Sequence, residues 1–393
     1  MKQRAFGIIH LIIVIAVIVA IGGIGFFAYN KKSTAGTVAD WTGSCSGNGT
    51  VPMTHAPMDI KDINTIFPVG TLAGEHVTPI DHLYFYPKDM HNRDAAPVYA
   101  MADGYIVHYE NNPGRIRLVI QHTCSFFSYF DLLTSLDPAI EKELTGFHLR
   151  TAPHVAVKSG QVLGKVGAQS LDTGIYNFNK TLTGFIVPEH FAVEFWKIHT
   201  DDFFSYFSGQ MKDDLLALDA RKAEPRSGKL DYDIDGKLVG TWFQTGTGGY
   251  SGKDNNMKFT DDKGTIAPYY VGHFSIAPDA FKPETTDVSF GSYQGKATQF
   301  SAGVASPDPA TVDVTTGLVK YELHQYVQPA IFADLAAQAG QGPGLGDLLE
   351  QQRVRGTVLL QMTGARTMKM EAFPDKKAAD VTGFTSAAVS YNR

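Results

Sequence analysis

Val157-Lys-Ser-Gly-Gln-Val-Leu-Gly-Lys-Val-Gly167 sets three glycines, Gly160, Gly164 and Gly167, among short apolar runs. Glycine at such spacing suits a strand entering and leaving tight turns, where the backbone needs φ > 0 or a close approach. Upstream, Ala96-Pro-Val-Tyr-Ala-Met-Ala-Asp-Gly-Tyr-Ile-Val-His108 and Ile116-Arg-Leu-Val-Ile-Gln-His122 read as strands, parted by Asp103-Gly104 and Asn112-Pro-Gly114. These are turn sequences with a mechanism: Asp and Asn tolerate the left-handed region, and proline pre-sets φ. Working outward, strands are expected over Ile80 to Tyr86, Val98 to Met101, Tyr105 to Tyr109, Ile116 to Gln121, Phe126 to Leu133 and Val155 to Val157. Leu136 to Leu144 reads as a short helix in an insertion.

A chain of 393 residues exceeds one ordinary core, so two domains and an N-terminal segment are expected. Net charge is −6 with no basic stripe, so nothing points to a nucleic-acid partner. Thirty-nine glycines and 11% aromatics suit a turn-rich, mainly β chain. Phe6 to Tyr29 is almost wholly apolar, long enough for a transmembrane helix and too long for a cleaved secretory core. An uncleaved membrane anchor over residues 1–32 is the plain expectation, with a flexible linker over 33–66. Arg4-Ala-Phe-Gly-Ile-Ile-His10 also resembles a type IV prepilin leader, which would imply cleavage before Phe6 and pilin-like assembly, although His10 stands where that family has Glu. Cys45 and Cys124 could pair in an oxidising compartment or be two unrelated thiols.

Taken in order, Pro97-Val-Tyr-Ala100, His122, Tyr129-Phe-Asp-Leu132 and the Gly-rich run resemble the lysostaphin/LytM-type zinc metallopeptidases, which cut peptidoglycan cross-bridges. The resemblance covers roughly Gly74 to Ile175. It implies an antiparallel β domain and one Zn²⁺ with three protein ligands, the fourth position holding the water that the metal activates. That family carries His-x-x-x-Asp, Tyr-x-His and His-x-His motifs. Here His76 and Asp81 stand for the first pair, one residue too far apart, with His82 as a spare. Asp131 takes the place of the catalytic His after Tyr129. Asp172, in Ser170 to Tyr176, replaces the zinc-binding His of His-x-His; alternatively His190 keeps the catalytic role and Ala192 falls at the ligand position. His122 reads as structural.

The implied metal set is therefore His76, Asp81 and Asp172, with Asp131 and His190 as catalytic candidates. Aspartate can ligate zinc, but an added carboxylate makes the bound water less acidic, and general acid–base help is reduced. The expected function is a membrane-anchored, extracytoplasmic protein whose LytM-like domain binds or scaffolds cell-wall peptidoglycan or surface glycan without cutting it. An active zinc endopeptidase is the alternative, and pilin-like assembly a third reading.

In the second half, Met211 to Lys222 is helical in composition and Pro225-Arg-Ser-Gly228 ends the segment, placing a domain boundary between 225 and 226. The LytM-like domain is thus expected over 67–225 and a C-terminal β domain over 226–393. Asp231, Asp233, Asp235 and Gly236 match the first half of a calcium loop, yet the twelfth position is Trp242, so a polar loop competes with a Ca²⁺ site. Strands are expected over Lys237 to Gln244, Ile266 to His273, Thr298 to Gly303, Leu318 to Tyr326, Gly356 to Met362 and Thr367 to Phe373. Asp334 to Ala339 and Leu345 to Gln352 are the remaining helix candidates. Gly240-Thr-Trp242 is similar to the Gly-x-Trp of lipocalin-like barrels, so this half reads as a β-barrel or sandwich.

Overall fold

The computed structural model describes residues 41, 45–112, 114–145, 153–252, 268–326 and 353–393. Ten strands build the first half: β1 (Ile63–Phe67), β2 (Leu83–Pro87), β3 (Ala96–Tyr99), β4 (Gly104–Asn112), β5 (Arg115–Thr123), β6 (Phe126–Leu133), β7 (Ser135–Leu136), β8 (Val155–Val157), β9 (Val162–Val166) and β10 (Leu171–Asn177). Seven form an antiparallel sheet in the order β1-β2-β10-β6-β5-β4-β8, and β3-β9-β7 form a smaller one. The two motifs that carry the family resemblance meet here, since Pro97 and Val98 of β3 pair with Lys165 and Gly164 of β9. Gly160 turns the chain into β9 at φ 77°. Gly164 is needed for close approach: a Cβ there would lie 2.1 Å from the Ser135 carbonyl oxygen.

One face of the seven-stranded sheet is apolar. Leu118, Ile120, Phe126, Phe130, Leu171 and Ile175 pack there into the main core. Strand alternation sends the intervening residues to the other face, where the polar site is built. A helix, α1 (Pro138–Thr145), follows β7, and α2 (Gly209–Leu218) packs near β1.

The second half closes into an eight-stranded barrel: β11 (Gly240–Gln244), β12 (His273–Pro278), β13 (Thr286–Tyr293), β14 (Lys296–Ala302), β15 (Leu318–Gln325), β16 (Val354–Gly364), β17 (Thr367–Pro374) and β18 (Val389–Asn392). β15 shows the period-two logic: Val319, Tyr321 and Leu323 are buried while Lys320, Glu322 and His324 face outward. Closure pairs β18 with β11 and leaves no free edge. The Arg393 guanidinium lies 3.7 Å from the centroid of the Trp242 ring, covering that buried side chain.

Three expectations need correction. The fold is mainly β, but among the described residues no helix is long and apolar enough to cross a membrane, so the described fold lacks the transmembrane helix that was expected in it. The longest described helix, α2, has ten residues, about 15 Å at 1.5 Å per residue and half a hydrocarbon core. Phe6 to Tyr29 and the prepilin-like start lie outside the described residues, as do the helix candidates Asp334 to Ala339 and Leu345 to Gln352. The stretch expected as linker up to residue 66 includes β1, which pairs with β2. The expected strand ending at His273 is instead a 3₁₀ turn over Tyr269–Gly272, with β12 beginning at His273.

Candidate functional site

The polar face of the sheet gathers its groups at the β2–β10–β6–β5 centre. Asp172 of β10 stands opposite Asp131 of β6 on one side and Tyr84 of β2 on the other. Asp81 and His82 lie in the irregular segment just before β2, so consecutive side chains there can reach the same place. His82 occupies the centre. Its Nδ1 is 3.1 Å from Asp81 Oδ1, and its Nε2 is 3.3 Å from Asp172 Oδ2. The second contact is an ion pair lacking hydrogen-bond alignment, and Nε2 has no hydrogen-bond partner. Tyr176 donates to Asp81 Oδ2 at 3.0 Å, and Ser170 donates to Asp172 Oδ1 at 2.9 Å. Asp81, His82 and Asp172 are each under one-tenth exposed.

The charges follow from this geometry. Burial opposes a charged imidazole, but Asp172 and then Asp81 overcome it and raise the His82 pKa to about 9. Burial likewise opposes ionisation of Asp81, yet Lys197 and His82 hold its carboxyl well below the usual range. For Asp172, burial outweighs the pull of His82, and its pKa is raised. The two ends of the His82–Asp172 contact thus disagree. The misaligned geometry favours a weaker pair than the imidazole shift alone suggests.

Asp131 is held separately. Burial opposes its charge, and the Arg115 and Arg117 guanidiniums overcome that to hold its pKa at about 2. Arg115 Nε donates to both carboxylate oxygens at 3.0 and 2.9 Å, and Arg117 Nη2 donates at 2.8 Å. Tyr129 Oη adds a further donor at 2.9 Å, with the Arg117 guanidinium 5.3 Å from its ring centroid. An Asp so clamped offers little basicity to a reaction.

The remaining candidates fall elsewhere. His76 lies on an exposed turn, its ring centroid 6.1 Å from that of His82. Protein around its ring and the His82 charge push its pKa down, an effect that the exposure of the residue to solvent screens. His190 packs edge-on against Phe243 of β11 at 5.3 Å, in the 3₁₀ turn Pro188–Glu194. Ala192 and Glu194 share that turn, with Glu194 3.9 Å from buried Lys197. His122 bridges the Asp103 carbonyl at 2.7 Å and Ser128 Oγ at 2.9 Å.

Among the described residues, no group of three His, Cys, Asp or Glu side chains is placed to hold a metal ion. His76, Asp81 and Asp172 do not converge as the expected zinc set, because His82 stands between the two carboxylates with one ring nitrogen against each. The residues present do not fit zinc. Nor does the expected calcium loop converge: Asp231 pairs with Lys229 at 2.7 Å, Asp233 accepts from Thr241 N at 2.7 Å, and Asp235 takes Arg366 at 2.9 Å. Arg115, Arg117, Lys197 and Trp41 were not singled out in the sequence. The alternation of Arg115 and Arg117 on β5 with Tyr129 and Asp131 on β6 was the available signal.

The barrel meets the His76 turn. Gln299 of β14 accepts from Gly74 N at 3.0 Å and donates to Gly74 O at 2.9 Å, and Tyr270 donates to Glu75 at 2.7 Å. Cys45 and Cys124 form a disulfide.

No family model matches the sequence, and no curated protein matches it. Similar solved structures include the SpoIIQ–SpoIIIAH pore-forming complex, at 14% identity over 33% of this chain and 86% of that one, with a TM-score of 0.25. A zinc-containing peptidase from Vibrio cholerae matches at 18% identity over 35% of this chain and 38% of its own, with a TM-score of 0.21. The solution structure of lysostaphin matches at 13% identity over 66% of this chain and 96% of its own, with a TM-score of 0.25. This chain therefore spans well under half of the Vibrio peptidase.

Proposed function

We propose that this chain is an extracytoplasmic cell-envelope protein whose LytM-like β domain binds or scaffolds cell-wall material without cutting it. The observation that carries the reading is His82, lodged between Asp81 and Asp172 with a ring nitrogen toward each. A protonated imidazole fills the role that the family resemblance assigns to a metal, holding two carboxylates together, and it provides no site to activate water. The order of the Pro-Val-Tyr-Ala and Gly-rich motifs supports the LytM-like assignment, and their pairing as β3 and β9 is consistent with it. The Cys45–Cys124 disulfide supports an oxidising compartment.

Purified protein incubated with isolated peptidoglycan sacculi tests this directly. Co-sedimentation without release of new amino termini, in zinc-free and in zinc-supplemented buffer, is the expected result. Zinc-dependent release that disappears in His76→Ala would establish the endopeptidase reading instead.

A further inference from the structure

The outer face of the barrel carries a cavity of about 870 Å³, walled by β14, β15, the loop joining them and the turns after β12 and β17. That volume falls within the roughly 300–1,000 Å³ of small-ligand sites. None of the residues lining it belongs to the His82 cluster. Its floor follows β15, where Lys320, Glu322 and His324 face outward. The step from Lys320 to His324 covers about 13 Å at roughly 3.3 Å per residue. Ala302, Gly303 and Ala378 keep the cavity free of bulky side chains, and Val304 stands fully exposed at its lip.

The two ends of this cavity carry opposite charge. At the His324 end, Ser301 of β14 pairs with His324 on one side and Asp287 of β13 on the other, so the three side chains share the outer face. Asp287 is 1% exposed, and its Oδ1 has no hydrogen-bond partner. Its neighbour is a second carboxyl, Asp279, which lines the cavity. Asp279 Oδ1 accepts from Phe281 N at 2.8 Å and Lys282 N at 2.6 Å, and its Oδ2 accepts from Tyr326 Oη at 3.0 Å. Burial and then Asp279 push the Asp287 pKa well above the usual carboxylate range, and no cation offsets them. Lys282, on the same turn, is exposed, so solvent screens its charge. At the other end, Lys320 Nζ donates to Ala378 O at 2.9 Å, which meets the ammonium with a carbonyl dipole. Glu322 already accepts from Ala378 N at 2.8 Å and lies 3.9 Å from His324. A ligand that completes both ends has an ammonium and a carboxylate about 13 Å apart, the span of an extended peptide of roughly four residues. Such an ammonium would supply the counter-charge that the Asp279–Asp287 pair lacks, and the carboxylate would do the same for Lys320.

We infer that the barrel cavity is a binding site for short extended peptides of small residues, taking the free amino terminus at Asp279 and Asp287 and the free carboxylate at Lys320. The inference stands on barrel residues alone and goes beyond the envelope reading, whose failure would leave it intact. Calorimetric titration of the full-length chain with tetra-alanine tests it. Tetra-alanine should bind; acetylating its amino terminus should weaken binding at least about tenfold, and amidating its carboxylate at least about fivefold. Asp287→Asn should lose most of the affinity for tetra-alanine and little of that for the acetylated peptide. Lys320→Gln should erase the difference between tetra-alanine and its amide, a coupling that a purely structural lysine would not produce. No binding at millimolar peptide overturns the inference, as does an acetylated peptide that binds as well as the free one. Tighter binding of cadaverine than of tetra-alanine also overturns it, since the cavity would then be an amine site with no carboxylate end. If Asp287→Asn does not fold, the wild-type peptide series and Lys320→Gln decide alone, and a penalty for amidation that persists in Lys320→Gln overturns the assignment.

Discussion

His82→Gln isolates the charge at the centre of the site while keeping a side chain of similar reach. The folded pKa of about 9 exceeds the ordinary 6.5, so the folded state holds the proton more tightly than the unfolded chain. Stability from this group is fully present below about pH 6.5 and is lost as pH rises through about 9. At roughly 1.4 kcal/mol per unit, that shift amounts to about 3 kcal/mol. The raised pKa of Asp172 and the misaligned Nε2 contact reduce what the pair returns, making this an upper bound. In the variant, Asp81 and Asp172 lose their shared cation, and removing one partner of a buried pair typically costs about 3–5 kcal/mol. Urea unfolding followed across this pH window is the assay. Wild type should weaken as pH rises, and His82→Gln should be less stable at the acid end with most of the slope gone. A variant as stable as wild type, or one retaining the full slope, would refute a protonated His82 between two carboxylates.

Asp131→Asn leaves the Arg115 and Arg117 guanidiniums facing each other without their carboxylate. Because Arg115 is partly exposed and screened, the expected loss is about 2–3 kcal/mol in denaturant unfolding. Cys45→Ser with Cys124→Ser opens a crosslink across a sequence separation of 79. Chain-entropy reasoning puts the loss at up to about 4.5 kcal/mol, read as a fall in Tm that reductant reproduces in wild type. Gly164→Ala drives a methyl into the Ser135 carbonyl region and should cost about 1–3 kcal/mol, whereas a neutral result would deny the close β9–β7 approach.

Strand positions were readable where alternation or turn chemistry was strong. Phe126–Leu133 and Val155–Val157 fall at the expected positions. β13 escaped because Asp287, Ser289 and Gly291 resemble loop composition, although Val288 and Phe290 between them enter the barrel core. β18 is four residues long, and its place depends on pairing with β11 and β17, distant in sequence or reached by closure. The site was harder. A one-residue mismatch between His76 and Asp81 matters on a regular strand, where side chains alternate. The segment before β2 is irregular, so Asp81 and His82 both reach inward and the spacing argument loses its footing. Nor does spacing reveal that a neighbouring imidazole will take the central position. That depends on three strands brought together by long-range pairing.

Charge balance across the whole face explains why a side-chain cation suits this arrangement. Asp172 and Asp131 stand directly opposite on β10 and β6, where like charges destabilise a sheet pair. Asp131 has Arg115 and Arg117, Asp172 has His82, and Asp81 feels both His82 and Lys197. With Glu110 beside Arg117 and Glu194 beside Lys197, five carboxylates share four cationic side chains on and around this face. A cation placed between Asp81 and Asp172 would have to displace the His82 imidazole from both. The face therefore holds its three central carboxylates in place with side-chain cations from three separate elements, Arg115 and Arg117 on β5, His82 before β2 and Lys197 after β10.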